Sequence, residues 1–169
     1  RPLADPCRLP KAIKNEAELA GIRAAHMRDG AAMAEFLYWL DQTAPAGGLR
    51  EIDVVQKLEA TRASANQMTD ISFETICGSG PNGAIIHYRV TTETNRAVTP
   101  GELLLVDSGA QYLDGTTDIT RTMAVGPVPQ DAIAPFTRVL AGMIDMSRIR
   151  FPSGVAGAHL DVLARAALW

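Results

Sequence analysis

Residues 103–122 read LLLVDSGAQYLDGTTDITRT, and this stretch decides the fold. The apolar run Leu103–Val106 predicts a strand that is buried on both faces or nearly so. Asp114-Gly115 is a strong hairpin signal between the flanking segments 109–113 and 117–125. The sequence therefore predicts paired antiparallel strands in the middle of the chain.

Helical patterns lie on both sides of this β section. Asn15 followed by Glu18 is a capping box, and apolar residues at spacings of three and four predict a long helix from there to about Leu40. The order helix, helix, strands, helix, helix is typical of an α+β domain with antiparallel strands. The remaining predicted elements are helices over about 49–63, from 131 and over 155–169, and strands over 71–77 and 84–90 around a turn cluster at 78–83.

Composition excludes several classes of protein. The chain has 169 residues, of which 47% are apolar and 21% charged, as in an ordinary single soluble domain. Its net charge of −3 argues against a nucleic-acid-binding face, and no apolar run approaches the length of a membrane span. Cys7 and Cys77 stand in unlike contexts and are predicted to be free, at least half-buried thiols of a reducing compartment.

Both ends of the chain predict that it is a piece of a longer protein. It opens with Arg1-Pro2 rather than Met and shows no secretory signal pattern. Its last helical pattern stops at Trp169 without a capping residue. Residues 1–14, with three prolines, are predicted to form an extended lead-in segment.

Two acidic residues, each at one end of a predicted strand, are candidates for a functional site. Asp107 ends the apolar strand, and Asp118 begins the returning one. Facing carboxylates repel each other, and a divalent cation, which prefers hard oxygen ligands, removes that conflict. The alternative is that Asp107 accepts hydrogen bonds from a turn while Asp118 is solvated. A turn at Asp114-Gly115 pairs Gln111 with Asp118, so the metal hypothesis needs a wider loop or a bulge.

The histidines allow more than one interpretation. His87 lies in the strand predicted over 84–90, as either a hydrogen-bonded core residue or a proton donor that faces a cleft. His26 and Asp29, three residues apart on one helix face, predict a structural hydrogen bond. His159 is interpreted as a packing or capping residue, with a ligand role as the alternative.

Three segments together resemble one family. They are GPNGAIIHY at 80–88, DSGAQY at 107–112 and DGTTDITRT at 114–122, and they are similar to aminopeptidase P, the Xaa-Pro aminopeptidase, in its cytosolic three-domain type. The resemblance covers nearly the whole chain. It implies a partial pita-bread fold, the creatinase/aminopeptidase fold, with an antiparallel curved sheet and helices on its outer face. Residues 1–169 would be the N-terminal half of that catalytic domain.

The resemblance also implies a chemistry. The family hydrolyses the bond between an N-terminal residue and a following proline, with two divalent metals, commonly Mn²⁺, bridged by water or hydroxide. Asp107 matches the acid that chelates one metal, Asp118 matches the acid that bridges both, and His87 matches the histidine that contacts substrate near the scissile amide. The family's remaining ligands, one His and two Glu, follow the region that ends at Trp169. We therefore expect part of an active site here, and no activity from this chain alone.

The implied partners are peptides with proline in the second position, in the cytoplasm, with a homodimer as the common assembly of this type. Neither nucleic acid nor membrane is an expected partner. Two alternatives remain open: a prolidase-type dipeptidase, and a non-catalytic pita-bread module that binds peptides or proteins. The presence of both Asp107 and Asp118 favours an enzyme, because a binding module has no need of two poised carboxylates.

Overall fold

The computed structural model describes residues 5–65 and 67–169, which divide into one unit up to Pro127 and a second from Val128. No helix among these described residues is both long and apolar enough to cross a membrane. The helices are α1 (Arg8–Ala12), α2 (Glu16–Thr43), α3 (Glu51–Ala65), α4 (Gln130–Arg148) and α5 (Gly157–Arg165), and the strands are β1 (Asp70–Ile71), β2 (Ile76–Ser79), β3 (Leu103–Ser108), β4 (Ala110–Tyr112), β5 (Gly115–Thr116) and β6 (Ile119–Ala124).

The long helix α2 begins with the predicted capping box. The side chain of Asn15 accepts the backbone N–H of Glu18 at 2.9 Å, and the Glu18 side chain accepts the N–H of Asn15 at 2.8 Å. The helix ends at a short 3₁₀ turn, Ala44–Ala46, that contains Pro45. The sequence predicted both ends because capping chemistry is local.

The core of the first unit lies between α2, α3 and the strands. Phe36 of α2 and Leu58 of α3 are fully buried, and they pack in one apolar cluster with Leu104 and Val106 of β3. Successive side chains of β3 alternate between buried and half-buried. The prediction of burial on both faces is therefore only partly right, because one face meets this core while the other is covered in part by the turn at Gly83.

The strands form two three-stranded antiparallel sheets, in the orders β2-β3-β6 and β1-β4-β5. In the first, β3 pairs with β6 from Leu103 opposite Ala124 to Ser108 opposite Ile119. In the second, Tyr112 of β4 lies opposite Gly115 of β5. Both ladders keep one register, so residues 103–124 form a single long hairpin. Its turn is Leu113-Asp114, one residue before the predicted turn.

Three predicted elements differ from the structure. Residues 84–90 do not form a strand: a 3₁₀ helix, Gly80–Ala84, is followed by a turn. The strand predicted over 71–77 is split into β1 and β2, because the chain bends between them at residues 72–73. Within the lead-in, α1 replaces the extended chain, because the Asp5 side chain accepts the N–H of Cys7 and initiates it. Residues 1–4 of that segment lie outside the described residues.

The second unit consists of α4 and α5. Gly142 of α4 lies so close to α5 that an added Cβ would stand 2.5 Å from the carbonyl oxygen of Ala164. The apolar side chains Phe136, Leu140 and Met143, whose spacing predicts that they point inward, are 41–52% exposed. Two helices alone offer too little partner surface to cover this face.

Candidate metal centre

The pleat of the long hairpin brings Asp107 and Asp118 to one cavity. Asp107 lies opposite Thr120, and Asp118 precedes Thr120 by two residues. Because side chains two residues apart on a strand point to the same face, the two acids are diagonal neighbours across the hairpin. Both line a cavity of about 310 Å³. The wider loop or bulge that direct pairing of these acids requires is therefore absent from this described segment.

The two carboxylates affect each other. Partial desolvation at the cavity wall raises the pKa of Asp118, and the negative charge of Asp107 and a hydrogen bond to its side chain raise it further. The nearby His26 acts in the opposite direction and lowers that pKa. Thr120 Oγ1 donates to Asp107 Oδ1 at 2.7 Å and orients that carboxylate. The cavity therefore holds a like-charged pair whose repulsion is only partly compensated.

A tight junction in the hairpin sets this geometry. Between β3 and β4, Gly109 lies against the other arm, where an added Cβ would stand 2.0 Å from the carbonyl oxygen of Thr117. Thr117 is fully buried, and its Oγ1 accepts the N–H of Ala110 at 3.0 Å while its own N–H donates to the Ala110 carbonyl. Ser72 Oγ donates to the carbonyl of Thr117 at 3.0 Å. Only glycine fits this approach, which fixes Asp118 one residue further along.

His87 reaches the same cavity from a loop rather than from the predicted strand. Its backbone has φ of +55°, the left-handed conformation that a non-glycine residue adopts only when its surroundings hold it. The side chain is exposed and lines the cavity together with Asp107 and Asp118. The strand prediction was wrong because Gly80-Pro81 starts a 3₁₀ turn and the N–H of Tyr88 donates back to the Ile85 carbonyl.

The chemistry of the acid pair fits a divalent cation. Two carboxylates supply the hard oxygen atoms that such ions prefer, and a cation between them would remove the repulsion that raises the Asp118 pKa. Within residues 5–65 and 67–169, no group of three or more His, Cys, Asp or Glu side chains is arranged to hold a metal ion. The acid pair would by itself offer such an ion only two carboxylate ligands.

The other histidines lie outside this cavity's lining. His26 Nδ1 donates to the Ile22 carbonyl at 2.9 Å, so the predicted bond between His26 and Asp29 is wrong. Asp29 instead accepts two hydrogen bonds from the buried Arg62, a partner thirty-three positions away that no local pattern reveals. His159 caps α5, accepting the N–H of Ala156 on Nδ1 at 3.0 Å, which agrees with the capping interpretation.

Some residues of the site were missed at the level of sequence. Arg89 lines the cavity two positions after His87, and it forms an ion pair with Glu74 at 2.6 Å. The apolar wall comes from Phe73 and Ile76. The only sequence signal for Arg89 was the alternation of side chains in the strand predicted over 84–90, and that strand does not form.

The two cysteines are both free. Cys77 is buried, as predicted, whereas Cys7 is exposed.

The chain is similar to proteins of one known family. A model of metallopeptidase family M24 matches residues 20–169. A curated relative, the probable Xaa-Pro aminopeptidase P of Aspergillus clavatus, is 47% identical over 170 residues, which cover 99% of this chain and 25% of the relative. The chain thus spans about a quarter of the length of the curated relatives it matches.

Solved structures show the same similarity. The X-prolyl aminopeptidase of Caenorhabditis elegans, described as a cytosolic enzyme with a di-nuclear active site, is 39% identical, with a TM-score of 0.90 over 98% of this chain and 27% of that one. The prolidase of Pyrococcus furiosus is 25% identical, with a TM-score of 0.82 over 96% of this chain and 45% of that one. The architecture of the chain is accordingly part of a pita-bread fold, with helices and antiparallel sheets.

Proposed function

The chain belongs to metallopeptidase family M24, and from this membership we propose that the whole protein is a metal-dependent Xaa-Pro aminopeptidase. It hydrolyses the bond between an N-terminal residue and a following proline. The observation that carries the proposal is that Asp107, Asp118 and His87 line one cavity. The relatives named Xaa-Pro aminopeptidase support the substrate class, since they match almost the entire chain.

The proposed roles are those that the resemblance to the family implies, and the shared cavity of these side chains supports them. In the whole protein, Asp107, oriented by Thr120, would hold one divalent ion, and Asp118, which lines the same cavity, would be the ligand shared by two. The bound ions, Mn²⁺ in this proposal, supply Lewis-acid polarisation of the scissile carbonyl and a nucleophile at neutral pH. His87 donates a hydrogen bond to the amide that reacts, because an imidazole N–H can serve as a proton donor to the reacting group.

The chain by itself supplies two of the proposed ligands. Two carboxylates bring a charge of about −2 against +4 for two divalent ions, so tight binding needs further ligands. We propose that they lie in the part of the protein beyond residues 1–169, which together form the N-terminal half of the catalytic domain. The whole protein is proposed to act in the cytoplasm, on peptides, and as a homodimer.

The experiment is a substrate panel on the full-length protein. The protein is stripped of metal, reloaded with Mn²⁺, and assayed on a tripeptide Xaa-Pro-Yaa, the matched tripeptide Xaa-Ala-Yaa and the dipeptide Xaa-Pro. We expect manganese-dependent release of the first residue from the proline tripeptide and none from its alanine counterpart. Absence of turnover on all three peptides, with full metal loading, would contradict the proposal.

The same panel tests a second candidate. The structural similarity to a prolidase favours a dipeptidase as the alternative. Turnover of the Xaa-Pro dipeptide without turnover of the tripeptide would support that alternative, because a dipeptidase requires the free carboxylate directly after proline. Peptide binding without any turnover would instead support the non-catalytic module.

A further inference from the structure

Glu51, the first residue of α3, is a buried carboxylate with an unusual set of partners. The residue has no exposed surface. Its Oε1 accepts the backbone N–H of Ser79 at 2.7 Å and the Asn82 amide at 2.9 Å. Its Oε2 accepts the backbone N–H of Arg96 at 2.9 Å and lies 3.1 Å from the hydroxyl of Tyr88. A carboxylate only accepts hydrogen bonds, so it is the side chain that suits four converging donors.

All four donors belong to one segment, residues 79–96, which we call the His87 loop. Ser79 and Arg96 are its two ends, and Asn82 and Tyr88 lie within it. The ends also contact each other, since Arg96 Nη1 donates to Ser79 Oγ at 3.2 Å. Because residues 80–96 form no strand ladder, the shape of the loop depends on such contacts, and one carboxylate joins its beginning, middle and end.

His87 is restrained through its neighbours in the chain. It is exposed and adopts a φ of +55°. Within residues 80–97, all of which the structure describes, Tyr88 is the one buried residue. The Tyr88 hydroxyl accepts from the Asn82 amide at 2.8 Å and also lies 3.1 Å from the Thr94 carbonyl. The backbone at His87 is therefore restrained by Tyr88, which the Glu51 network holds, together with the exposed ion pair of Arg89 with Glu74.

We propose that Glu51 is a positioning residue: through Tyr88 and the two ends of the His87 loop, it holds His87 at the cavity that contains Asp107 and Asp118. The proposal rests on the proposed function in one respect, because it takes His87 to be the group that contacts the reacting amide. Glu51 itself does not line that cavity. In this proposal its effect on turnover passes through His87, which the double-mutant cycle below tests.

The first experiment compares Glu51→Gln with the unchanged full-length protein. Glutamine keeps the shape of the side chain but turns one acceptor oxygen into a donor, which then faces the N–H of Arg96 or Ser79. We expect kcat on an Xaa-Pro tripeptide to fall by about 10²-fold, since displacing a reacting group by roughly 1 Å has that effect. Metal content and KM should change little, because the acid pair is on the hairpin.

A double-mutant cycle separates positioning from general loss of structure. In a His87→Ala background, Glu51→Gln should lower kcat by less than about 3-fold, since the group it positions is already gone. A loss of structure would instead lower kcat by the same factor in both backgrounds. Equal factors would overturn the proposal.

A third measurement, hydrogen exchange, does not depend on catalytic activity. Hydrogen exchange of the full-length protein should show faster exchange in residues 80–96 for Glu51→Gln, with the hairpin 103–124 unchanged. Tyr88→Phe, a milder change that keeps the carboxylate, should alter the same segment and lower kcat by a smaller factor. The matched control is Glu59→Gln, on the same helix, whose carboxylate accepts one hydrogen bond from Thr75 outside the loop. It should leave both readouts unchanged.

The possible results distinguish failure of the proposed function from failure of the proposed role of Glu51. If the unchanged protein cleaves no Xaa-Pro peptide, the proposed function fails, and exchange then decides the matter: faster exchange in residues 80–96 alone supports the restraint by Glu51, and unchanged exchange overturns it. If the protein is active, faster exchange together with the background-dependent loss of kcat supports the proposal. Faster exchange with normal kcat overturns it, because the loop would then not need to be held.

Discussion

Asp107 and Asp118 acquire a shared environment from the two-residue period of a pleated strand. Thr120 stands opposite Asp107 and two residues after Asp118, so one register places all three side chains on one face. The proximity explains why the pKa of Asp118 is raised, first by desolvation and then by the charge of Asp107. The proposed metal site therefore depends on the positions of these individual side chains.

Replacing Asp118 tests the acid pair. In the full-length protein, Asp118→Ala should abolish turnover of an Xaa-Pro tripeptide and lower the bound metal measured by elemental analysis, because the proposed bridging ligand serves both ions. Asp114→Asn is the matched control: Asp114 is on the same hairpin, but it pairs with Arg28 at the turn rather than lining the cavity. Normal metal content in Asp118→Ala would contradict the assignment.

Replacing His87 tests the proposed hydrogen bond to the amide. His87→Ala should lower kcat by about 10²–10⁴, the range for general acid–base groups, with metal content unchanged. His159→Ala, which removes a helix cap in the second unit, serves as the control and should retain turnover. Loss of metal in the His87 variant would make it a ligand, and normal turnover would make it a structural residue.

At the scale of elements, the hairpin 103–124 and the helices that cover it decide where these side chains lie. The junction at Gly109 allows the two arms to approach closely enough for Thr117 to bond both backbone groups of Ala110. Pairing continues on either side of it in the same register. The cavity therefore depends on a backbone approach that a side chain would prevent.

Substitution of this glycine tests the junction. Gly109→Ala places a Cβ 2.0 Å from the Thr117 carbonyl oxygen and 2.2 Å from Ser72 Oγ, so the arms must separate. We expect a loss of stability of about 1–3 kcal/mol, as for other overpacked sites, measured by denaturant unfolding. Gly30→Ala, in α2 with no atom within 4 Å of the added Cβ, should gain up to about 1 kcal/mol from helix propensity. Equal effects of the two would contradict this account.

At the scale of the whole molecule, a buried ion pair joins α2, α3 and β4 in the first unit. Arg62 Nε donates to Asp29 Oδ1 at 2.7 Å with both side chains fully buried, and the Tyr112 hydroxyl donates to the same oxygen at 3.0 Å. Burial, followed by the nearby Asp29 charge, raises the pKa of Tyr112 to about 12. Three elements thus depend on one carboxylate.

Removing that charge should destabilise the fold. Asp29→Asn leaves Arg62 buried without its counter-ion, and we expect a loss of about 3–5 kcal/mol in the free energy of unfolding. The control is Glu74→Gln, which breaks the exposed pair with Arg89 and should cost less than about 1 kcal/mol. A loss below about 1 kcal/mol for Asp29→Asn would show that the pair contributes little.

The chain by itself tests the need for the rest of the protein. Residues 1–169 expressed alone should show no turnover of an Xaa-Pro tripeptide in excess Mn²⁺, since part of the proposed ligand set is missing. They should also associate, because the exposed apolar face of α4 includes Phe136, Leu140 and Met143. Turnover is measured beside the full-length protein, and association by light scattering. Metal-dependent turnover comparable to that of the full-length protein would refute the claim.

The sequence by itself determined those features of the structure that depend on residues adjacent in the chain. The capping box at Asn15, a long helix from there to about Leu40, strand β3 and the candidate acids were all predicted, since capping, turn chemistry and alternation act over a few positions. The roles of Asp107, Asp118 and His87 were predicted from resemblance to a family and remain proposals.

Only the tertiary structure decided the partners of buried polar groups and the path of the His87 loop. Asp29 was assigned to His26 from their spacing, yet it pairs with Arg62 on another helix. Glu51 gave no local signal, because its partners lie 28 to 45 positions further along the chain. Residues 84–90 looked like a strand, but they follow a 3₁₀ helix and turn, and only Tyr88 among them contacts that carboxylate. A buried charge takes whichever donor the packing brings to it, and no spacing in one segment encodes that choice.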